Sequence, residues 1–310
     1  MTRLPRLAFA SLAVAALALT ACDMGQFTVD TTSKVLIRAQ PSLKMESDYE
    51  LASRAIPGTL KTIEGFWVVH PENGILRALL TEGYCQYGIG FVEDEWEQAL
   101  IKKDFDAAAY HEARATRMFV RCMNYALMQL GSKWQNGLFG DTESVTKLVN
   151  SASAGQRTPL MWAAIGLGSM INHNKDNVEL VAQAPTAKAM LLKVVEIDDK
   201  HPLKDKALMA LPHVALGLLY TAAGAQLGGN AEEAEKHFKR ALELTDDRFL
   251  LARVQYARRV GVMTQNKKLF HDELVKVLMT DPAIWPEQRL ANEIAHRRAR
   301  RYLSQEKELF

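Results

Sequence analysis

From about residue 47 to the C-terminus, apolar residues recur in nearly every segment with the three- and four-residue spacing of an α-helix. The segments are separated by short stretches rich in Pro, Gly, Asp and Asn, such as HPENG at 70–74 and TDPAIWPE at 280–287. No stretch alternates apolar and polar residues between hairpin turns, as a half-buried strand would. Because helices with one apolar face must cover that face with other helices, we expect an all-α protein.

The predicted helices come in pairs that partly follow the tetratricopeptide pattern, in which Leu-Gly-x2-Tyr on one helix precedes Ala-x3-Phe-x2-Ala on the next. The matching residues of one pair are Leu216, Gly217 and Tyr220, then Ala234, Phe238 and Ala241. Those of an upstream pair are Trp162, Ile165 and Gly166, then Ala187, Leu191 and Val194. Ala187 and Ala234 are 47 residues apart, whereas a regular array repeats about every 34. We therefore predict a degenerate tetratricopeptide-like solenoid of helical hairpins, with a generic antiparallel bundle as the alternative.

Glycines recur inside the first helices of these pairs. They lie in GYCQYGIGF at 83–91, WAAIGLGSM at 162–170 and HVALGLLY at 213–220. A glycine in a helix interior costs roughly 1 kcal/mol relative to alanine, so each needs a compensating role. Close packing of two backbones is the favoured explanation, and room for a bound molecule is the other.

The N-terminus has the features of a secretory signal. Arg3 and Arg6 precede an uncharged run at 7–20, which is too short to span a bilayer. The run leads into Leu-Thr-Ala-Cys, which resembles the bacterial lipobox and would make Cys22 the first mature residue, acylated on its sulfur and amine. Residues 1–21 are thus interpreted as a lipoprotein signal peptide. The alternatives are an ordinary signal peptide and an uncleaved membrane helix.

The lipid on Cys22 predicts where the protein resides. Several acyl chains anchor a chain stably to a membrane, here on the periplasmic side. Asp23 is the kind of second residue that favours retention at the inner membrane, with the outer membrane as the alternative. Residues 22–46 are polar apart from one short apolar run, so we expect a lipidated N-terminus and tether, followed by a helical domain over 47–310.

Charge and compartment both argue against a nucleic-acid partner. The chain has 38 basic and 36 acidic residues, and Arg3 and Arg6 would leave with the signal peptide, so the mature protein is near neutral. Proteins that bind nucleic acid are usually strongly basic. The arginine-rich stretch at 289–303 is RLANEIAHRRARRYL, and it therefore needs an explanation other than contact with a nucleic-acid phosphate backbone.

Placing this closing stretch at 100° per residue separates its arginines. Arg297 and Arg300 fall on the solvent side, whereas Arg298 falls on the apolar face between Ile294 and Tyr302. A guanidinium cannot be buried unpaired without a large cost, so Arg298 must find a partner. We expect that partner within the same chain, with a ligand carboxylate or a second subunit as the alternative.

Two further cysteines, Cys85 and Cys122, lie inside apolar helical patterns. In an oxidising compartment they could pair, but their surroundings are also typical of buried core thiols, which is the favoured interpretation. Neither has the His or Asn neighbours of a catalytic thiol.

The sequence carries no recognisable catalytic, metal-binding or cofactor-binding motif. His111-Glu112 lacks the second histidine of a zinc-protease helix, and no phosphate-binding loop or nucleophile elbow is present. The carboxylate pairs Glu93/Glu97 and Asp94/Asp104 lie in charged stretches and are expected on a solvated face. We therefore expect a non-enzymatic protein without a metal or cofactor.

The ordered set of segments resembles one known family, the TRAP transporter T-component, or TatT-like, lipoproteins. The resemblance begins at the lipobox and covers most of the mature chain, least clearly between about 131 and 200. The segments that carry it are ASRAIPGTLKTIEGFWVVHPENGILRALLTEGYCQYGIGFVEDEWE (52–97), EARATRMFVRCMNYALMQL (112–130), AEEAEKHFKRALELTDDRFLLARVQYARRVGVMTQNKKLFHDELVKVL (231–278) and the closing stretch (289–303).

The resemblance implies a lipid-anchored periplasmic protein of tetratricopeptide-like hairpins that assembles as a homotrimer. It implies that the protein engages the substrate-binding protein of a tripartite ATP-independent periplasmic transporter and helps to pass a small organic-acid or hydrophobic ligand. A scaffold lipoprotein for envelope assembly, without a small ligand, is the alternative function.

Seven residues are candidates for binding a ligand or partner. Tyr84, Tyr87 and Phe91 form one stripe at i, i+3 and i+7, which is more often core than groove. Trp162 and Tyr220 occupy positions that tetratricopeptide hairpins pack between helices. Asn124, near the end of an apolar helix, would need partners if buried, and Arg298 completes the set.

Overall fold

The structure, a computed structural model, describes residues 24–223 and 229–310. Every regular element in these two ranges is a helix, and no strand occurs among them, which confirms the all-α prediction. The predicted signal peptide, Cys22 and Asp23 lie outside the described residues. Within the same ranges, no helix has both the length and the apolar character needed to cross a membrane.

The helices are numbered α1 to α16 in chain order. They are α1 Met24–Lys44, α2 Tyr49–Val69, α3 Gly74–Tyr87, α4 Glu93–Ile101, α5 Phe105–Leu130, α6 Ser132–Gly137, α7 Thr142–Asn150, α8 Arg157–Asn172, α9 Val178–Val181, α10 Ala184–Lys200, α11 Lys206–Tyr220, α12 Ala231–Leu244, α13 Leu250–Tyr256, α14 Lys267–Met279, α15 Arg289–Ser304 and α16 Glu306–Leu309. Wider π-helical turns follow α3 at Gly88–Val92 and α13 at Ala257–Gly261.

Asp and Asn side chains mark where many of these helices begin. Each accepts a hydrogen bond from a backbone N–H three residues later, which satisfies one of the free donors of the first turn. The capping residues are Asp48, Asn73, Asp104, Asp141, Asn177, Asp205, Asn230 and Asn266. Asp104 is exposed, as the sequence analysis expected, and it caps α5.

Consecutive helices pack beside one another along most of the chain. Helix α5 lies between α3 and α8, α10 packs on α8 and α11, and α12 packs on α11 and α13. The last long helix, α15, packs on α13 and α14 and also contacts α1 and α2. The first and last parts of the described chain therefore meet and enclose a space between them.

The best tetratricopeptide-like pair, α11 and α12, packs as its sequence spacing predicts. Ala234, Phe238 and Ala241 of α12 are fully buried. A Cβ atom added to Gly217 of α11 would lie 2.6 Å from the Phe238 ring. Glycine is needed here because the two helices approach closely, which is the favoured explanation from the sequence. The tetratricopeptide-like solenoid as a whole stays a prediction.

The segment expected to be a tether is a helix attached to the body. Val29 and Ser33 of α1 are buried. Asn73 Nδ2 donates to Ser33 Oγ at 3.1 Å and to Asp30 Oδ1 at 2.7 Å. An ion pair of 2.7 Å joins Lys44, at the end of α1, to Glu82 of α3. The polar composition of this segment did not reveal a helix, because Val29 is its only buried apolar residue and several of its contacts with the body are polar.

Cys85 of α3 and Cys122 of α5 form a disulfide, with their Cα atoms 5.2 Å apart. The favoured interpretation from the sequence, two unpaired core thiols, is therefore wrong. The apolar pattern correctly placed both residues in the core, where both are fully buried. It could not show that helices whose cysteines are 37 residues apart in sequence lie side by side.

Candidate functional site

The space enclosed between the first and last helices is a cleft of about 1290 Å³, including its open mouth. Its walls come from α2, α3, the first π-turn, α8, α11, the start of α13 and α15, and one end of α1 borders it. Its aliphatic lining consists of Leu43, Ile56, Leu60, Ile63, Leu79, Ile89, Ile165, Ala207, Leu208, Leu211, Leu251, Leu290, Ala291 and Ile294. Concave, apolar sites of this kind are typical of small-molecule binding.

Two glycines of the GYCQYGIGF stretch, Gly83 and Gly90, form part of the cleft wall. A Cβ on Gly90 would lie 3.0 Å from Ile294 Cδ1, and one on Gly83 would lie 2.4 Å from Leu60 Cδ2. Both glycines therefore allow neighbouring side chains to approach the backbone. At these two positions the absence of a side chain both allows the close packing and shapes the cleft wall.

The polar groups in the cleft wall are few, and several already have partners. Glu82 pairs with Lys44, and Asp205 caps α11 through a 3.0 Å bond from the Leu208 N–H. Gln40, Thr59, Gln86 and Gln288 add amide and hydroxyl groups. Most of the lining is aliphatic or aromatic, a composition that suits binding by shape and burial.

Three of the seven candidate residues line the cleft, namely Tyr87, Phe91 and Trp162. The Phe91 ring stacks between Tyr87, with 5.4 Å between centroids, and Tyr49, at 4.9 Å. Both sulfurs of the Cys85–Cys122 disulfide lie against the Trp162 carbonyl, at 3.8 and 3.5 Å. The disulfide therefore supports the wall that Trp162 helps to form.

Three other candidates lie away from the cleft. Tyr84 is buried against Tyr125, and burial, followed by the nearby Glu64 carboxylate, raises its pKa to about 12. Asn124 is exposed on α5 and so needs no buried partner. Tyr220 stacks on His237 and carries the Lys188 ammonium 4.3 Å above its ring.

Arg298, the last candidate, is 1% exposed and has partners within the chain. Its Nη2 donates to the Ile89 carbonyl in the first π-turn, and its Nε lies 3.9 Å from Asp94 Oδ1. The guanidinium lies behind the cleft wall, because Ile89 lines the cleft and Arg298 does not. The expected intramolecular partner is therefore present, and a binding role for Arg298 stays a prediction.

Asp94, placed on a solvated face by the sequence analysis, is fully buried. It accepts hydrogen bonds from Arg297 Nε at 2.8 Å, from Gln98 at 2.8 Å and from the Tyr49 hydroxyl at 3.2 Å, and it also pairs with Arg301. Burial alone would raise the pKa of this carboxyl. Arg301, Arg298 and Arg297 together hold the pKa below its usual value.

Arg297 also departs from expectation, since it is only partly exposed, pairs with Asp94 and lies 4.4 Å above the Tyr49 ring. Arg300 is exposed, as expected. The difference arises because α15 packs against α4 and α2 as well as α13 and α14. A helical wheel with one apolar face cannot show that a second, charged face is also covered.

Sequence reasoning missed most of the cleft wall. Ile56 and Ile63 of α2, Leu211 of α11 and Leu251 of α13 were not singled out. Ile294 was noted only as part of the apolar face of the closing helix. Each lies in an ordinary apolar helical pattern, so no local signal distinguishes a residue that lines a cleft from one that fills a core.

No group of three or more His, Cys, Asp or Glu residues in the described parts of the chain could hold a metal ion.

Comparison with known families gives one match. A family model described as TRAP transporter T-component matches residues 45–310, from the turn before α2 to the C-terminus. This range includes all of the cleft wall except the α1 residues Gln40, Leu43 and Lys44. A search of curated proteins finds no match.

Proposed function

The chain belongs to the TRAP transporter T-component family, and from this premise we propose that it is the accessory T-component of a tripartite ATP-independent periplasmic transporter, where it binds a small ligand in its cleft. The family implies association with a TRAP transporter. The single observation that supports ligand handling is the apolar cleft. Transfer of an apolar molecule from water into a space lined largely by aliphatic and aromatic side chains lowers the free energy of the system.

The ligand that fits this cleft is a small organic acid or a hydrophobic molecule. The hydrocarbon part would lie against the aliphatic wall and the Tyr87, Phe91 and Trp162 rings. A carboxylate or other polar end would be directed toward the polar groups of the wall, such as the Lys44 ammonium and the Gln86 and Gln288 amides.

The partner is the substrate-binding protein of the transporter. In this proposal the protein is a periplasmic lipoprotein anchored through Cys22, it assembles as a homotrimer, and the ligand passes between the cleft and the binding protein. The protein has no catalytic role.

Filling the cleft tests the ligand proposal. Ala291 lies on α15, is partly buried and lines the cleft. We expect Ala291→Phe to reduce, by about tenfold or more, binding of an environment-sensitive apolar fluorophore and recovery of co-purified small molecules by mass spectrometry, because the new ring occupies ligand space. Ala109→Phe, on the exposed face of α5 and outside the cleft, is the matched control.

Equal binding by the two phenylalanine variants would overturn the ligand proposal. The transporter proposal is tested separately by measuring association of the mature protein with the substrate-binding protein of a TRAP transporter from the same cell. Association without any ligand effect would favour a scaffold, and no association would contradict the transporter role.

A further inference from the structure

A second cavity, of about 870 Å³ including its open mouth, lies beside the end of α15, and none of its lining residues line the cleft. Its walls come from α4, the end of α8 and the following turn, the second π-turn, the end of α15 and α16. The lining residues are Trp96, Glu97, Leu100, Ile101, Lys103, Asn172, Lys175, Arg258, Arg259, Tyr302, Gln305 and Glu308.

The charges of this cavity are unbalanced. Four lining residues are basic and two are acidic. One of the acids, Glu97, already accepts hydrogen bonds from the Tyr302 hydroxyl at 2.8 and 2.9 Å and pairs with Arg301. The other acid, Glu308, has no basic group within 4.0 Å among the described residues. The cavity therefore retains a net positive charge that its two carboxylates do not balance.

Arg258 and Arg259 carry most of this excess charge. Neither side chain forms an ion pair or a hydrogen bond with any residue that the structure describes. Arg258 lies 5.5 Å above the Tyr302 ring, and Arg259 has its Nε buried without a partner. Both are only partly exposed. A guanidinium in such a position loses hydration, and this loss is normally offset by a carboxylate or phosphate.

The titration behaviour of these groups agrees with the geometry. Burial lowers the pKa of Arg258, and the Tyr302 and Glu97 groups offset this only in part. Burial, followed by the nearby Arg259, lowers the pKa of Lys175. The charged form of each cation is thus less stable than it would be in water, as expected where a counter-charge is missing.

The local backbone also distinguishes this place. Arg258 and Arg259 lie in the π-helical turn Ala257–Gly261, which interrupts an otherwise continuous helix from Leu250. Short π-turns inside helices are uncommon and often occur at functional sites. Here the turn places two adjacent guanidinium groups beside the cavity.

We propose that Arg258, Arg259 and Lys175 form a binding site for a small anion that carries a carboxylate or phosphate group. The guanidinium groups supply paired N–H donors of the kind that bind such oxygen atoms. Trp96, Leu100 and Ile101 form an apolar wall that accommodates a short hydrocarbon part. The site is separate from the cleft and does not depend on the function proposed for it.

Isothermal titration calorimetry on the full mature protein in detergent tests this site, with inorganic phosphate and succinate as probes at constant ionic strength. Saturable binding of either probe is expected, and the tighter probe identifies the class of anion. Arg259→Gln should weaken binding by about tenfold or more, the usual effect of losing a charged hydrogen-bond donor. The matched control, Arg300→Gln, removes an exposed arginine of α15 and should bind as the wild type does.

A thermal melt distinguishes an anion site from a merely structural pair of arginines. In buffer without the probe anions, Arg258→Gln should raise the Tm, because it removes an uncompensated charge. Added phosphate or succinate should raise the Tm of the wild type and of Arg300→Gln, but not that of Arg258→Gln.

The proposal is overturned if neither probe binds the wild type saturably, or if Arg259→Gln and Arg300→Gln bind equally well. It is also overturned if Arg258→Gln lowers the Tm without anion, because the arginine would then stabilise the fold through contacts of its own.

Discussion

At the scale of single residues, the Asp94 carboxylate connects parts of the chain that are far apart in sequence. It lies on α4, and its arginine partners Arg297, Arg298 and Arg301 lie close to the C-terminus on α15. A buried carboxylate is stable only when nearby charges and hydrogen bonds replace its water. Asp94 therefore fixes the position of α15 against α4.

Asp94→Asn should lower the free energy of unfolding by about 3–5 kcal/mol, since it removes the buried carboxylate that pairs with Arg297 and Arg301 and lies 3.9 Å from Arg298. Denaturant unfolding followed by circular dichroism measures the change. Asp106→Asn, at an exposed first-turn position of α5, is the control and should lose less than about 1 kcal/mol. Equal losses in the two variants would show that the arginines do not depend on Asp94.

The same carboxylate gives stability a defined pH dependence. Its pKa in the folded protein lies below the ordinary 3.8, so its contribution is fully present above about pH 4 and is lost as the pH falls through the lower, folded value. The stability difference between wild type and Asp94→Asn should therefore shrink as the pH falls below 4. A difference independent of pH from 7 to 3 would contradict this assignment.

Residues differ in how well the sequence predicts their surroundings. The need of Arg298 for a partner follows from its place on the apolar face of a single helix, which local spacing specifies. The burial of Asp94 could not be predicted, because it depends on how α15 packs against a helix much earlier in the chain. The same limitation explains why Asn124 and Tyr220, both in suitable local patterns, lie outside the cleft.

At the scale of elements, alanine substitution should have opposite effects on stability at Gly217 of α11 and at Gly58 of α2. Gly217→Ala should lower the free energy of unfolding by about 1–3 kcal/mol, because its Cβ would lie 2.6 Å from the buried Phe238 ring. Gly58→Ala, in α2 with nothing within 4 Å of an added Cβ, should raise it by up to about 1 kcal/mol through helix propensity. Denaturation of the two variants in parallel measures both, and a shared sign would contradict the packing argument.

The Cys85–Cys122 disulfide joins α3 to α5 and closes a loop with a sequence separation of 37 residues. Loss of the cross-link in the double variant Cys85→Ala/Cys122→Ala should lower the free energy of unfolding by about 2–4 kcal/mol, since the unfolded chain regains the entropy of this loop. Dithiothreitol should destabilise the wild type similarly and leave the double variant unchanged. If dithiothreitol also destabilised the double variant, the reductant would not be acting through this disulfide.

At the scale of the whole molecule, α1 contributes little to the core. Only two of its residues, Val29 and Ser33, are buried. A chain that begins at Met45 should therefore still melt cooperatively, with a Tm lower by a few degrees. It should bind cleft ligands more weakly, since Gln40, Leu43 and Lys44 border the cleft. Loss of the cooperative transition on truncation would show that α1 belongs to the core.

The sequence predicts the fold class better than it predicts the cleft. Helical periodicity and glycine-aromatic pairing, as at Gly217 and Phe238, are local and predicted the helices and one of their contacts. The cleft is assembled from side chains of helices as distant as α2 and α15, among them Ile56 and Ile294. Tyr87, Phe91 and Trp162 were found because they are large and aromatic, whereas the aliphatic residues beside them have no distinguishing pattern.

The contact between α15 and the N-terminal helices also affects how the molecule should unfold. In an open array of repeats, each unit contacts only its neighbours, so the array frays from its ends and unfolds in stages. Here α15, near the C-terminal end, is held against α4 through Asp94 and its arginines and against α2 through Arg297 and Tyr49, so α15 cannot fray until these contacts open. We therefore expect the amide protons of α4 and α15 to exchange with similar protection. Their exchange rates should change together when stability is altered, as in one cooperative unit, although the two helices are far apart in sequence.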